Sequence, residues 1–287
     1  MPPSIFSVDV EDWFHILDVP STPTPDTWDA LPSRVEANFR RLLDLFDQTG
    51  TRTTCFFLGW VGARFPALPR EAAARGHEVA SHGHAHQLVH SQTRAEFLAD
   101  VTRARKTLED AIGQPVDGYR SPGFSLNERT GWFFEALLEA GYRYDSSVFP
   151  AAHGHGGLRT ARKEPHWRSY TGGTLGEFPI SVTEVLGRRQ CFFGGGYLRL
   201  FPYPIIKKMA ARVERDGRPV VFYVHPREVD PDHPRLPMGP TRRFKSYVNL
   251  RTTEPKIRKI LADFPTVTFR EYLTRYGDTL AREDFTA

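Results

Sequence analysis

The chain has 287 residues, 40% of them apolar, and 38 Lys and Arg against 34 Asp and Glu give a formal charge of +4. That is enough apolar material for a substantial core and predicts a soluble globular protein, while so slight a basic excess argues against nucleic acid as a partner. Cys55 and Cys191 are the only cysteines and form no Cys-x-x-Cys spacing, which excludes a disulfide framework and a thiolate metal cage.

The N-terminus enters a strand at once, Ile5 to Val8, with no basic stretch and apolar run ahead of it, so a cytoplasmic location is expected. Ser33 is placed to cap a helix in which Val35, Phe39, Leu42, Leu43 and Phe46 recur at helical spacing until Gly50 stops it. Residues 53–58 read as a second, buried strand with Cys55 in the core. A helix with Pro66 and Pro69 near its start leads to Gly76 and a third strand, Glu78 to Ala80. A long helix follows from about Thr93 to Ile112, then a short strand at Gly118 to Arg120. Asn127 is placed to cap the next helix, striped by Trp132, Phe133, Ala136, Leu137 and Ala140, before a strand at Tyr142 to Tyr144.

Residues 149–170 are rich in Pro, Gly, His and basic side chains and read as an irregular insertion. Beyond it, Gly176 to Val182 is strand-like, Ile205 to Arg215 helical, and Pro219 to Val224 the clearest buried strand in the chain. A C-terminal extension from about residue 230 holds a last long helix from near Thr253, a strand at Thr266 to Phe269 and a short terminal helix. No run approaches the roughly 18 apolar residues of a membrane span. Without a repeat or a linker, residues 1–287 are expected to form a single α/β domain, its strands parallel and its helices outside, as a barrel or an open sheet.

In such folds the side chains just past the strands converge on one site. Asp9, Glu11 and Asp12 follow the first strand, His82, His84 and His86 the third, Arg120 the fourth, and His225 the clearest one. Imidazoles plus carboxylates are the ligand set of a Zn-type site that keeps positions open for water and substrate. A single histidine near a strand end is usually a solvated or hydrogen-bonded group; three within five residues are harder to dismiss. In a loop, His82 and His86 turn inward together and His84 points away. His153 and His155 have no strand before them and read as loop. Strand alternation favours Glu11 as the companion of Asp9 if the strand continues, and a turn at Val10 favours Asp12.

The order of these residues resembles a polysaccharide deacetylase of carbohydrate esterase family four, the NodB homology fold. Residues 6–12, Phe-Ser-Val-Asp-Val-Glu-Asp, resemble its first motif, Ser81 to His86 its His-x-x-x-His, and Arg120-Ser121-Pro122 its Arg-x-Pro. Asp145 with Phe149 loosely resembles the fourth motif and Tyr223-Val224-His225 the last. Residues 194–200 and 243–250 are further similar to exopolysaccharide-locus deacetylases, near the peptidoglycan deacetylase and allantoinase-like branch.

The resemblance implies an irregular, seven-stranded (β/α) barrel and a hydrolase that removes N-acetyl groups from a polysaccharide or a lipid-linked oligosaccharide. It implies a divalent metal, Zn2+ first, held by His82, His86 and either Glu11 or Asp12. Asp9 would be the base, Arg120 its partner and His225 the general acid; Asp145 would orient His225 or hold a turn. Trp13, Phe124, Phe149, Tyr197 and Trp167 are candidates to line a sugar cleft, although aromatic residues are more often core. Gly194 to Gly196, with no Walker lysine, read as a turn near substrate. The basic residues Arg242, Arg243, Lys245, Lys256, Arg258 and Lys259 read as a solvated face, or one that meets an anionic or lipid-linked glycan. A related enzyme that opens another C–N bond and a non-catalytic glycan-binding module are the rival readings.

Overall fold

The computed structural model describes residues 2–17 and 19–285. The chain opens on β1 (Ser4–Val10), passes through α1 (Val35–Thr49) and returns as β2 (Thr54–Phe57). Next come α2 (Gly59–Arg64), α3 (Ala67–Ala74), β3 (Glu78–Ser81), α4 (Arg94–Ile112), β4 (Gly118–Tyr119), α5 (Phe133–Glu139) and β5 (Tyr144–Asp145). Two hairpins follow, β6 (His166–Tyr170) with β7 (Gly173–Glu177) and β8 (Thr183–Val185) with β9 (Arg188–Gln190). The remainder is α6 (Gly195–Leu200), α7 (Tyr203–Arg215), β10 (Val221–Val224), α8 (Pro240–Tyr247), α9 (Thr253–Asp263), β11 (Thr266–Val267), α10 (Phe269–Tyr276) and β12 (Ala281–Asp284).

Seven strands form one parallel ladder in the order β10, β1, β2, β3, β4, β5, β7. The β6 strand adds antiparallel to β7, β12 parallel to β6, and β11 pairs with the start of β1. Past β7 the chain runs beside β10, where Ser181 Oγ accepts from the Val221 amide at 2.9 Å and donates to the Pro219 carbonyl at 3.2 Å. The Tyr223 amide also donates to the Phe193 carbonyl at 3.2 Å. With the far edge of β10 engaged in this way, the ladder curls back on itself as an irregular barrel.

Both faces of these strands are buried, and the side chains divide by parity. Phe6, Val8, Val10, Cys55, Phe57, Val79, Phe222 and Val224 pack outward under Phe39, Leu42, Phe46 and other helical residues. Ile5, Phe56, Ala80, Val221 and Tyr223 pack inward with Tyr144, Phe178 and Phe269. Each such Phe, Ile or Val contributes roughly 1.5–3 kcal/mol relative to exposure. By the same parity Ser7 and Asp9 face the interior, so an apolar strand delivers a carboxylate inside the barrel.

Several elements differ from the sequence expectation. The helix with two prolines is two helices, because Phe65, preceding Pro66, takes φ −126° and ψ 62° and ends α2. Tyr142 is not in a strand; the chain turns through Gly141 at φ +85°, and β5 starts at Tyr144. The 149–170 insertion contains β6, and the strand expected at Gly176 to Val182 ends at Glu177. Asn127 caps no helix: its Oδ1 accepts from the Arg129 amide at 2.9 Å, upstream of α5. No helix among the described residues is long and apolar enough to cross a membrane.

Candidate active site

Parallel pairing puts the C-terminal ends of β1, β3, β4 and β10 at one end of the barrel, and the polar residues just past them meet there. Arg120 is fully buried with every part of its guanidinium engaged. Its Nη1 donates to Asp9 Oδ1 at 2.7 Å and Ser7 Oγ at 2.8 Å, its Nη2 to Ser146 Oγ at 3.1 Å, and its Nε to the Ser146 carbonyl at 3.3 Å. The guanidinium carbon also lies 4.2 Å from the centre of the Phe56 ring. A plain surface charge is thereby ruled out, and the pair fixes the Asp9 carboxylate before any ligand arrives.

His82, His86 and Glu11 come together, each able to offer one donor atom within 4.8 Å of the others. His82 Nδ1 lies 2.8 Å from the Arg120 carbonyl, to which it donates, leaving Nε2 bare for a metal. Burial pushes the His82 pKa down to about 3, which keeps the ring neutral. His86 Nε2 is 2.6 Å from Glu11 Oε2. Burial acts to raise the Glu11 carboxyl, but His86, His225 and Arg227 outweigh it and hold it below the ordinary carboxylate range. Two imidazoles and one ionised carboxylate, buried and aimed at one point, fit a Zn-type cation in donor chemistry.

Asp12 is not brought to this cluster. The strand stops at Val10 and the Glu11 amide turns back onto the Asp9 carbonyl at 3.0 Å, so the expectation that a turn would favour Asp12 fails. The tight turn leaves Glu11 facing inward, and Asp12 is drawn to the N-terminus of α1. There its carboxylate accepts from the Arg34 amide at 3.0 Å, the Val35 amide at 3.2 Å and Ser33 Oγ at 2.5 Å. Ser33 is a weak cap for that helix, 3.4 Å from the Val35 amide, and Asp12 does most of the capping from outside.

His225 Nε2 lies 3.9 Å from both Asp9 Oδ2 and Glu11 Oε1. Burial pushes its pKa down to about 4. Asp145 does not orient it: that carboxylate accepts from the Ser147 amide at 2.9 Å and Ser147 Oγ at 2.5 Å, holding a turn. The carboxylate beside it is Glu228, on the turn Pro226–Val229: its Oε2 accepts from the His225 amide at 3.2 Å and lies 3.6 Å from Nδ1, so it anchors the backbone at His225 and leaves the ring without a hydrogen bond to it. Glu228 is itself paired with buried Arg199. The three-residue spacing from His225 was a usable signal for Glu228, but its partner on α6 was not foreseeable.

Two other residues escaped the sequence reading. Asp100, on α4, accepts from the His84 amide at 2.7 Å and the Ala85 amide at 3.0 Å, bracing a loop in which Gly83 has φ 75° and His86 φ 51°. A left-handed histidine is strained and persists only where its surroundings hold it. His84 stays outside the cluster, with its Nδ1 next to Gly59. His15 Nδ1 accepts from the Asp12 amide at 2.9 Å, which leaves the proton of the neutral ring on Nε2.

Asp9, Glu11, His82, His86 and His225 line a cavity of about 350 Å³, together with His15, His153, His155, Phe124 and Tyr197. The His153 loop thus reaches the site although no strand delivers it. Gly195 and Gly196 also line it, as the turn near substrate requires, but they open α6. Trp13 packs instead in a separate core with Phe14 and Trp28, Phe149 is interior, and Trp167 bonds the Gly277 carbonyl at 2.7 Å. Lys256 departs from the solvated face expected of it: it is buried and caps the end of α6 through the carbonyls of Leu198, Arg199 and Phe201.

Residues 26–144 match the family model for polysaccharide deacetylases, and residues 146–274 match a domain of unknown function. Peptidoglycan deacetylase from Helicobacter pylori is 27% identical over 113 residues, 39% of this chain and 38% of that protein. The chain spans less than half the length of the curated relatives it matches. A Mycobacterium smegmatis structure of the polysaccharide deacetylase type has a TM-score of 0.62 at 20% identity, covering 100% of this chain and 98% of that one. Puue allantoinase also has a TM-score of 0.62, at 16% identity and covering 96% and 90%. Both share the fold.

Proposed function

Because the chain carries a polysaccharide deacetylase domain of the NodB, carbohydrate esterase family four type, we propose that it is a metal-dependent hydrolase removing N-acetyl groups from amino sugars of a bacterial exopolysaccharide or cell-surface glycan. The observation that carries the reading is the meeting of a braced carboxylate, a His-His-Glu cluster and a partly buried imidazole on four parallel strand ends. Pure glycan binding requires none of that machinery.

Glu11, His82 and His86 would hold the cation, Zn2+ by donor type, which when bound polarises the acetyl carbonyl and acidifies water. Asp9 is the general base: Arg120 holds its Oδ1, and Oδ2 is the oxygen nearer His225. His225 protonates the departing amine. Its ring is neutral at neutral pH, so it takes up the proton during turnover, after Asp9 has drawn one from water and the 3.9 Å between the two side chains has closed to hydrogen-bond distance around substrate. Glu228, paired with Arg199, anchors the backbone that carries the ring.

A screen of zinc-loaded protein on acetylated hexosamine oligomers and cyclic ureides tests the reading. Acetate release from the oligomers is expected. Ureide opening without acetate release would move the chain to the allantoinase-like chemistry, and oligomer binding without either product would make it a binding module.

A further inference from the structure

We propose that Arg227, Arg242 and Lys245 form an anion subsite beside the metal cluster, and hence that the substrate carries a carboxylate or phosphate close to its acetamido group. The inference rests on the deacetylase reading and names its substrate class. All three residues line the same cavity as Asp9, Glu11 and His225.

The case begins with charge. The acids of the cavity floor already have partners, Asp9 in Arg120 at 2.7 Å and Glu11 in His86 at 2.6 Å. Behind the wall, Glu228 is taken by Arg199. For Arg227 the nearest carboxylate oxygen is Glu11 Oε1, 3.8 Å from its Nε and beyond hydrogen-bond range. Among the described residues its side chain makes one hydrogen bond, Nη1 to the Ser246 carbonyl, stretched to 3.5 Å, and its buried Nε has no acceptor. Arg242 donates from Nη2 to the Leu17 carbonyl at 2.6 Å, but its buried Nε likewise lacks an acceptor among the described residues.

A guanidinium has five N–H donors, and leaving a charged group's donors unmade away from water is costly. Arg120, in the same site, shows what a satisfied arginine looks like in this protein. Two under-used guanidiniums and a lysine facing one cavity are matched by a ligand with several acceptor oxygens and negative charge. Two sources supply that chemistry, a uronate in the glycan and a sugar phosphate. Leu200 and Phe244, 43% and 56% exposed, line the same mouth and would serve the lipid of a lipid-linked phosphate.

The test uses the full zinc-loaded chain and inorganic pyrophosphate as the calorimetric probe. Arg227→Gln and Arg242→Gln are each expected to weaken pyrophosphate binding about 10-fold, the loss of one charge-assisted contact. Arg227 also acts on the metal ligand Glu11, so bound zinc is measured in every protein, and Arg242→Gln at unchanged zinc content is the comparison that isolates the subsite. Arg242→Gln, on a half-exposed position, keeps the test open if Arg227→Gln does not fold. In parallel, KM for acetate release is compared among a neutral N-acetylhexosamine dimer, one bearing a glucuronate, and N-acetylhexosamine 1-phosphate. A lower KM for the glucuronate or the phosphate supports the subsite and identifies its source. Unchanged pyrophosphate binding in both variants with equal KM values overturns the subsite and leaves the deacetylase reading intact. Arginine-dependent binding with no acetate from any substrate overturns the deacetylase reading alone.

Discussion

At the floor of the cavity Asp9, Arg120, Glu11 and His82 are held by neighbours before any ligand arrives; at the rim Arg227 and Arg242 are not. Arg120 is wrapped around Asp9, Ser7 and Ser146, His82 is aimed by a backbone carbonyl, and Glu11 is paired with His86. Arg227 and Arg242 instead stand on the irregular segment after β10 and on α8 with donors to spare. The floor sits on strand ends locked in register, which suits groups that must be preorganised for proton transfer. The rim is made by segments whose geometry no ladder fixes, which suits groups that wait for a substrate.

If that contrast is right, damage to the floor has large effects and damage at its margins small ones. His82→Ala or His86→Ala removes one of three ligands; bound zinc is expected to fall below stoichiometric and acetate release to drop about 10³-fold or more. Metal analysis that finds zinc unchanged in both would break the floor as described. Arg120→Met leaves Asp9 buried without its cation and is expected to cost about 3–5 kcal/mol in urea unfolding.

A smaller effect lies beneath the floor, where Asp145 faces Glu177 across β5 and β7. Burial pushes Asp145 up to about 6 and, with Asp145 alongside, holds Glu177 well above the usual range. Because the folded pKa of Asp145 lies above the unfolded value of about 3.9, its contribution is full below about pH 4 and is lost as pH rises through about 6. Asp145's own share should therefore fall by about 1–3 kcal/mol from pH 4 to pH 7.5, read as the shrinking difference in unfolding free energy between wild type and Asp145→Asn, because the depressed His82 and His225 push the total the other way. The smallest effect is at Asp12: with its carboxylate on the α1 N-terminus, Asp12→Ala should cost about 1 kcal/mol and leave bound zinc unchanged.

Asp9, His82, Arg120 and His225 were legible in the sequence because each follows a short apolar run, and the end of such a run is a strand end. Strands β1, β2, β3 and β10 were legible for the same reason, whereas β5 and β7 were misplaced and the count of seven came from the family resemblance. What the sequence hid is what depends on distant partners. The choice between Glu11 and Asp12 turned on the α1 N-terminus more than twenty residues away. Asp100 and Arg199 act through contacts that cross the fold, from helices whose own patterns show only a buried stripe. The β6 strand was missed because its residues are mostly half-buried and lack the alternation that marks a strand with one dry face.

The central claim is that Asp9 is the base of a hydrolytic site whose metal is held by other residues. Measuring zinc content and acetate release together in Asp9→Asn tests it most directly. The account predicts stoichiometric zinc with acetate release down about 10²- to 10⁴-fold. Full turnover in that variant, or loss of zinc along with activity, would contradict it.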